Sequence, residues 1–146
     1  MKKPQYTIST DSSRFDVEMI YQFLTNSYWA EGIPRHLVQR SIDNALCFGV
    51  FDGDQQVGLA RVITDCATYA YIGDVFILES HRGRGLSKLL MKAILEHPDL
   101  QGLRRWSLVT NDAHGLYKQF GFMPIANPQR YMELVNPDVY KTPLKS

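Results

Sequence analysis

Residues 74–95 read DVFILESHRGRGLSKLLMKAIL and concentrate the residue types that hold anions. Gly83 and Gly85 lie in a short loop between an apolar run and an apolar-periodic run. Glycine allows the backbone to approach a ligand closely. The first turn of a helix offers unpaired N–H groups and the positive end of the dipole. Arg82, Arg84, Lys88 and Lys92 add four positive charges, and no acid lies between Glu79 and Glu96. This combination is the chemistry of a phosphate or pyrophosphate cradle. It is not a Walker loop, because the GxxxxGK[ST] spacing is absent. It is not a dinucleotide fingerprint either, because Lys88 stands where GxGxxG needs its third glycine. A plain glycine turn with a solvated basic face stays open as the alternative. Tyr28 and Trp29, in the segment SYWAEGIP, either line a pocket or plug the core. His36, His81, His97 and His114 form no HxxxH or His/Cys cluster, so no metal is expected.

The elements around this loop follow from periodicity. YTIST, residues 6–10, reads as a strand. Ser13 and Asp16 resemble a capping box for a helix over 14–26, with Val17, Ile20 and Leu24 on one stripe. Pro34 suits the first turn of a second helix reaching Asn44, with Leu37, Val38 and Ile42 inward. Asp52-Gly53-Asp54 joins two β-rich runs into a hairpin. Residues 69–80, YAYIGDVFILES, are too apolar for an edge and read as a central strand. From Gly83 the period becomes helical, with Leu86, Leu89, Leu90, Ala93 and Ile94, and it stops at His97-Pro98. Arg105–Thr110 is another strand. Asp112 is placed to cap a short helix holding Leu116, Tyr117 and Phe120, ended by Gly121. Tyr131–Val135 reads as a last strand, and the polar tail from Asn136 has no assignment. The order β-α-α-β-β-β-α-β-α-β means α/β or α+β with a mostly antiparallel sheet.

Composition sets the outer bounds. The 146 residues correspond to one domain. Apolar residues make up 45% and charged residues 21%, which is globular usage and not disorder. Lys plus Arg is 16 against 15 for Asp plus Glu, a net charge of +1. That balance lacks the broad basic surface of a nucleic-acid binder but leaves room for one local anion site. No apolar run approaches the ~20 residues that span a bilayer, and MKKPQYTIST is not a secretory signal. Cys47 and Cys66 lack CxxC spacing and read as buried, reduced thiols of a cytoplasmic protein.

Arg82-Gly83-Arg84-Gly85-Leu86-Ser87 resembles the R/Q-x-x-G-x-G/A signature of the GNAT superfamily of N-acetyltransferases. The last position is Ser87, where Gly or Ala is usual; Ser is small enough to keep the backbone approach. Glu79 replaces a proline often found three residues before the arginine. NDAHGLYKQFGF, residues 111–122, resembles the family's later motif through Tyr117, Gly121 and Phe122. The resemblance covers residues 6–135. It implies a single GNAT-like domain over 1–146, with a twisted mixed sheet of six to seven strands and about four helices. It also implies that the backbone of Val75, Phe76 and Ile77 pairs with the pantetheine arm of acetyl-CoA. The loop Arg82–Ser87 would hold the pyrophosphate, and Asn111 would touch the cofactor. The usual asparagine lies seven residues before the tyrosine, where this chain has Thr110.

The implied reaction is acetyl transfer to an amine of a small molecule or peptide. Tyr117 is implied as the proton donor to the CoA thiolate, a core tyrosine being the alternative. Asp74 is one candidate base, a buried structural carboxylate being its alternative. Glu31, with Tyr28 and Trp29 on the acceptor wall, is another. A non-catalytic acetyl-CoA-binding module and a nucleic-acid-binding domain are the competing readings. Strand edges in this fold often pair in homodimers, which is again an implication of the resemblance.

Overall fold

The computed structural model describes residues 5–141. Five strands form one sheet in the order β1-β2-β3-β4-β5. They are β1 (Tyr6–Ser9), β2 (Leu46–Asp52), β3 (Gln55–Thr64), β4 (Tyr69–Ile77) and β5 (Arg105–Leu108). The first four pair antiparallel, and β4 pairs with β5 in parallel. Four α-helices accompany them: α1 (Val17–Thr25), α2 (Arg35–Asp43), α3 (Leu86–Glu96) and α4 (His114–Lys118). The α+β class and the central place of β4 agree with the sequence reading. Among the described residues no helix is long and apolar enough to cross a membrane.

Strand alternation splits the apolar side chains between the two faces of the sheet. Phe48, Val50, Val57, Val62 and Ile72 pack under Leu86, Leu90, Met91 and Ile94 of α3. Cys47, Phe51, Leu59 and Phe76 pack under Ile20 and Leu24 of α1 and Val38 and Ile42 of α2. The α3 stripe is therefore turned from the expected one. Leu89 is exposed, and Met91 is buried instead. Helix α1 also begins later than the capping-box reading gives. Asp11 accepts from both the N–H and the hydroxyl of Ser13, which holds Ser12–Arg14 in a separate 3-10 turn. Asp16 then caps α1 by accepting from Met19 N at 3.0 Å, an interaction worth ~1 kcal/mol.

Two further expectations change. Tyr131–Val135 belongs to none of the five strands, and its side chains are exposed. The described sheet thus falls short of six to seven strands, because a strand exists only where another offers its N–H and C=O groups. Cys66 is exposed, not buried. It occupies the turn between β3 and β4, where Asp65 accepts from the N–H groups of Ala67, Thr68 and Tyr69 and leaves the thiol outward. Cys47 is buried, and that burial pushes its thiol up to about 12. Iodoacetamide at mildly alkaline pH is therefore expected to add one carbamidomethyl group to the native chain and two to the unfolded chain, read by intact mass. Two adducts forming at one rate on the native protein would contradict the burial of Cys47.

Candidate active site

The cleft begins at an irregularity in β4. Arg61 of β3 stands opposite Gly73, and Leu59 stands opposite Phe76. Asp74 and Val75 therefore share one partner position, Ala60, which makes a β-bulge. Asp74 has φ 51, a left-handed conformation that bends the strand. Pairing of β4 with β5 ends at Ile72 opposite Leu108. Beyond it β4 runs on to Ile77, and among the described residues nothing pairs with its β5-facing edge. The two parallel strands splay, and a cleft of about 1310 Å³ opens between them.

The glycine loop closes one end of this cleft. Gly83 and Gly85 have φ 78 and 74, and a Cβ at either would meet no atom within 4 Å. The loop thus turns into open space along conformations that L side chains rarely adopt. Gly85 caps α3 with no side-chain hydrogen bond, so the N–H groups of the first turn face the cleft without a partner from a side chain. Arg82, Gly83, Gly85, Leu86, Ser87 and Lys88 line the opening. Arg82 Nε donates to Ile77 O at 2.9 Å, which ties the loop to the end of β4. Arg84 turns away: its guanidinium donates to Tyr6 Oη at 2.7 Å on the far edge of the sheet. Lys92 is exposed and does not line the cleft, so two of the four expected cations face it.

The opposite wall comes from α1, α2 and their connection. Trp29 Nε1 donates to Asp74 Oδ1 at 2.8 Å, and Arg61 Nε approaches Asp74 Oδ2 at 2.7 Å. Trp29 is therefore latched to the bulge rather than plugged into the core. Tyr28 meets it edge-on at 5.1 Å and is two-thirds exposed to the cleft. Beneath them Phe23 stacks on Phe76 at 3.9 Å. Glu31 is exposed and is not among the lining residues. Val75, Phe76 and Ile77 line the cleft along β4; the Phe76 ring is turned into the core.

The third wall follows β5. Thr110, Asn111, Asp112, Leu116 and Tyr117 line it. Asp112 does not cap α4 as expected: the helix starts from Ala113 with no side-chain cap, and Thr110 Oγ1 accepts from Ala113 N at 3.0 Å just before it. The Tyr117 ring is buried among the residues under α3. No hydrogen bond is formed by its hydroxyl among the described residues, and no buried side-chain oxygen or nitrogen there lacks a partner. The hydroxyl is consequently open to the cleft. Burial, then the charges of Asp112 and Tyr28, hold its pKa above the ordinary tyrosine value.

Arg61, Tyr71 and Tyr140 also line the cleft and escaped the sequence reading. Arg61 carried a signal, because a lone arginine inside the apolar run VGLARVI needs a buried partner. Tyr140 carried none. It lies in the polar tail and packs against the α1/α2 face.

Residues 15–122 match the Acetyltransferase (GNAT) family, and the chain belongs to it. A Gibberella zeae protein named as an acetyltransferase is 30% identical over 135 residues, covering 77% of this chain and 75% of that one. The crystal structure of a GNAT-family acetyltransferase from Xanthomonas campestris pv. campestris is 54% identical, with a TM-score of 0.92 over 97% of this chain and 100% of that one. A Clostridium acetobutylicum acetyltransferase crystallised with acetyl-CoA shares the fold at 16% identity and a TM-score of 0.65, covering 91% of this chain and 96% of that one.

Proposed function

We propose that this protein is an acetyl-CoA-dependent N-acetyltransferase whose acceptor is a primary amine of a small molecule or peptide. One observation carries the reading. The unpaired edge of β4 leads directly to a loop whose two glycines face open space at an uncapped helix start. An extended amide-bearing arm that ends in a pyrophosphate matches that sequence of groups. The open N–H and C=O groups of Val75 and the N–H of Ile77 pair with the arm as a further strand would. Backbone N–H groups at Gly83, Gly85, Leu86 and Ser87, with Arg82 and Lys88, take the phosphates. Asn111 faces the arm from the β5 wall.

Acetyl-CoA supplies a thioester whose carbonyl is attacked by the amine, with CoA thiolate leaving. The amine must be neutral to attack. A backbone N–H of the splayed β4 edge is suited to stabilise the developing oxyanion. The Tyr117 hydroxyl, protonated at neutral pH, gives its proton to the departing sulfur. Arg61 and Trp29 fix the orientation of the Asp74 carboxylate. Each of its oxygens keeps a second lone pair that can receive the amine proton. Tyr28 and Trp29 present ring faces to a cationic acceptor. Glu31 has no part in this scheme, since it stands outside the cleft. The reading places the protein in the cytoplasm, where its two free thiols stay reduced.

Binding to the native state alone raises stability by RT ln(1 + [L]/Kd). Acetyl-CoA at ~100 times its dissociation constant is expected to add about 2.7 kcal/mol, seen as a raised melting temperature. An unchanged melting temperature at millimolar acetyl-CoA would refute the cofactor assignment. A panel of amines followed by CoA release then identifies the acceptor.

A further inference from the structure

The α2 side of the cleft carries a cation that the proposed catalysis does not use. Leu37, Arg40, Ser41 and Asn44 line the cleft, spaced i, i+3, i+4 and i+7 on one face of the helix. Arg35, the other arginine of α2, pairs with Glu18 at 3.1 Å. The Arg40 guanidinium has neither an ion pair nor a hydrogen bond among the described residues. Ser41 Oγ donates to Val38 O and Asn44 Nδ2 to Arg40 O, so neither supplies a counter-charge. Asp43 accepts from Gln39 Nε2 at 2.9 Å and lies outside the lining.

Arg61 lines the same cleft from β3 and is also only partly used. Its side chain is 20% exposed, and it gives only Nε to Asp74. A guanidinium has five N–H donors in a planar fork, so the edge made by the two Nη groups is left over. No buried side-chain nitrogen among the described residues lacks a partner, so that edge opens to the cleft. Asp112, the other acid in the lining, belongs to the β5 wall. Arg40 and Arg61 against Asp74 leave one positive charge unbalanced, which matches a monoanion rather than a dianionic phosphate. The planar fork fits a carboxylate. The glycine loop does not account for these arginines. Arg61 stands opposite Gly73, and the loop begins beyond Ile77, four residues and roughly 13 Å further along the strand.

We propose that the acceptor is an α-amino acid whose carboxylate is held by Arg40 and the Nη edge of Arg61. The inference rests on the acetyltransferase reading and names its substrate class. Asp74 touches Arg61 and receives the amine proton, so amine and anion are held one guanidinium apart, the scale of an α-amino acid. The α-nitrogen bonds the acetyl carbon as the carbon–sulfur bond breaks. Its proton passes to Asp74, and CoA leaves as the thiol with the proton from Tyr117.

The test measures CoA release with the standard L-amino acids, their α-carboxamides and spermidine. The best acid is expected to exceed its own amide by roughly 10- to 100-fold in kcat/KM, the range of hydrogen bonds to a charged group. The amide has the less basic amine, so this preference cannot come from the amine itself. Amides or spermidine used as well as the acids overturn the proposal. Arg40→Gln is expected to lower the preference about tenfold through a raised KM, and Arg40→Lys to keep most of it. An unchanged preference in a folded Arg40→Gln also overturns it. Should that variant fail to fold, the acid-to-amide ratio of the wild type decides alone. The melting-temperature rise with acetyl-CoA separates the two readings. A rise with no amino acid acetylated overturns this inference and leaves the cofactor assignment standing; no rise overturns both.

Discussion

Gly85→Glu is expected to abolish the rise in melting temperature that acetyl-CoA produces, while the chain still folds. Gly85 has φ 74 and caps α3, and a Cβ there would meet no protein atom within 4 Å. The substitution therefore creates no clash in the free protein. It carries the left-handed cost of a non-glycine residue, roughly 1–2 kcal/mol. Four buried side chains, Leu86, Leu90, Met91 and Ile94, keep α3 on the sheet against that loss. In the ligand-bound protein the balance reverses. The open space is where a pyrophosphate would sit, and a carboxylate placed there both occupies it and repels it. Gly85→Ala separates the two effects. It has the same backbone cost and no charge, so its free melting temperature should match that of the Glu variant, with part of the acetyl-CoA shift retained. If Gly85→Glu binds acetyl-CoA as the wild type does in calorimetry, the loop does not hold the phosphates.

The loop was legible in the sequence because everything that makes it is local. Glycine conformations, the start of α3 and the basic residues around it lie within about a dozen positions, and periodicity marks the elements on either side. The bulge was not legible. Asp74 is joined to Trp29, 45 residues away, and to Arg61, 13 away, and these contacts exist only once the sheet has formed. The same holds for the cationic residues. Arg84 has the type and the position of a phosphate ligand, yet its guanidinium is taken up by Tyr6, 78 residues away. Residues 131–135 show the converse. Their alternation reads as a strand, but pairing needs a second edge, and among the described residues no strand pairs with the segment. The cleft's aromatic lining was partly visible as Tyr28 and Trp29. Tyr140 was not, because a single tyrosine in a polar tail has no period to place it.

Tyr117→Phe is expected to lower turnover by roughly 10²–10⁴-fold, the range of lost general-acid catalysis, with stability and acetyl-CoA binding nearly unchanged. The sequence reading left Tyr117 as either a proton donor or a core tyrosine. The structure buries Tyr117, at 7% exposure, and leaves Leu116 and Phe120 half-buried. A buried ring would favour a structural role if its hydroxyl were bonded. It is not: the hydroxyl opens to the cleft without a partner among the described residues. Phenylalanine keeps the ring and its contact with Phe122, so no stabilising hydrogen bond is lost. The raised pKa fixes the sign of the pH effect. Burial acts first and the charges of Asp112 and Tyr28 second, and all three disfavour the phenolate. The wild-type hydroxyl is thus protonated across neutral pH, and as the proposed donor it would lose catalysis only on an alkaline limb beyond the ordinary tyrosine range. The variant should lose that limb along with its rate. Turnover, melting temperature and the pH profile measured on one preparation separate the roles. Full turnover in Tyr117→Phe refutes the donor, and a lowered melting temperature with turnover intact makes the hydroxyl structural.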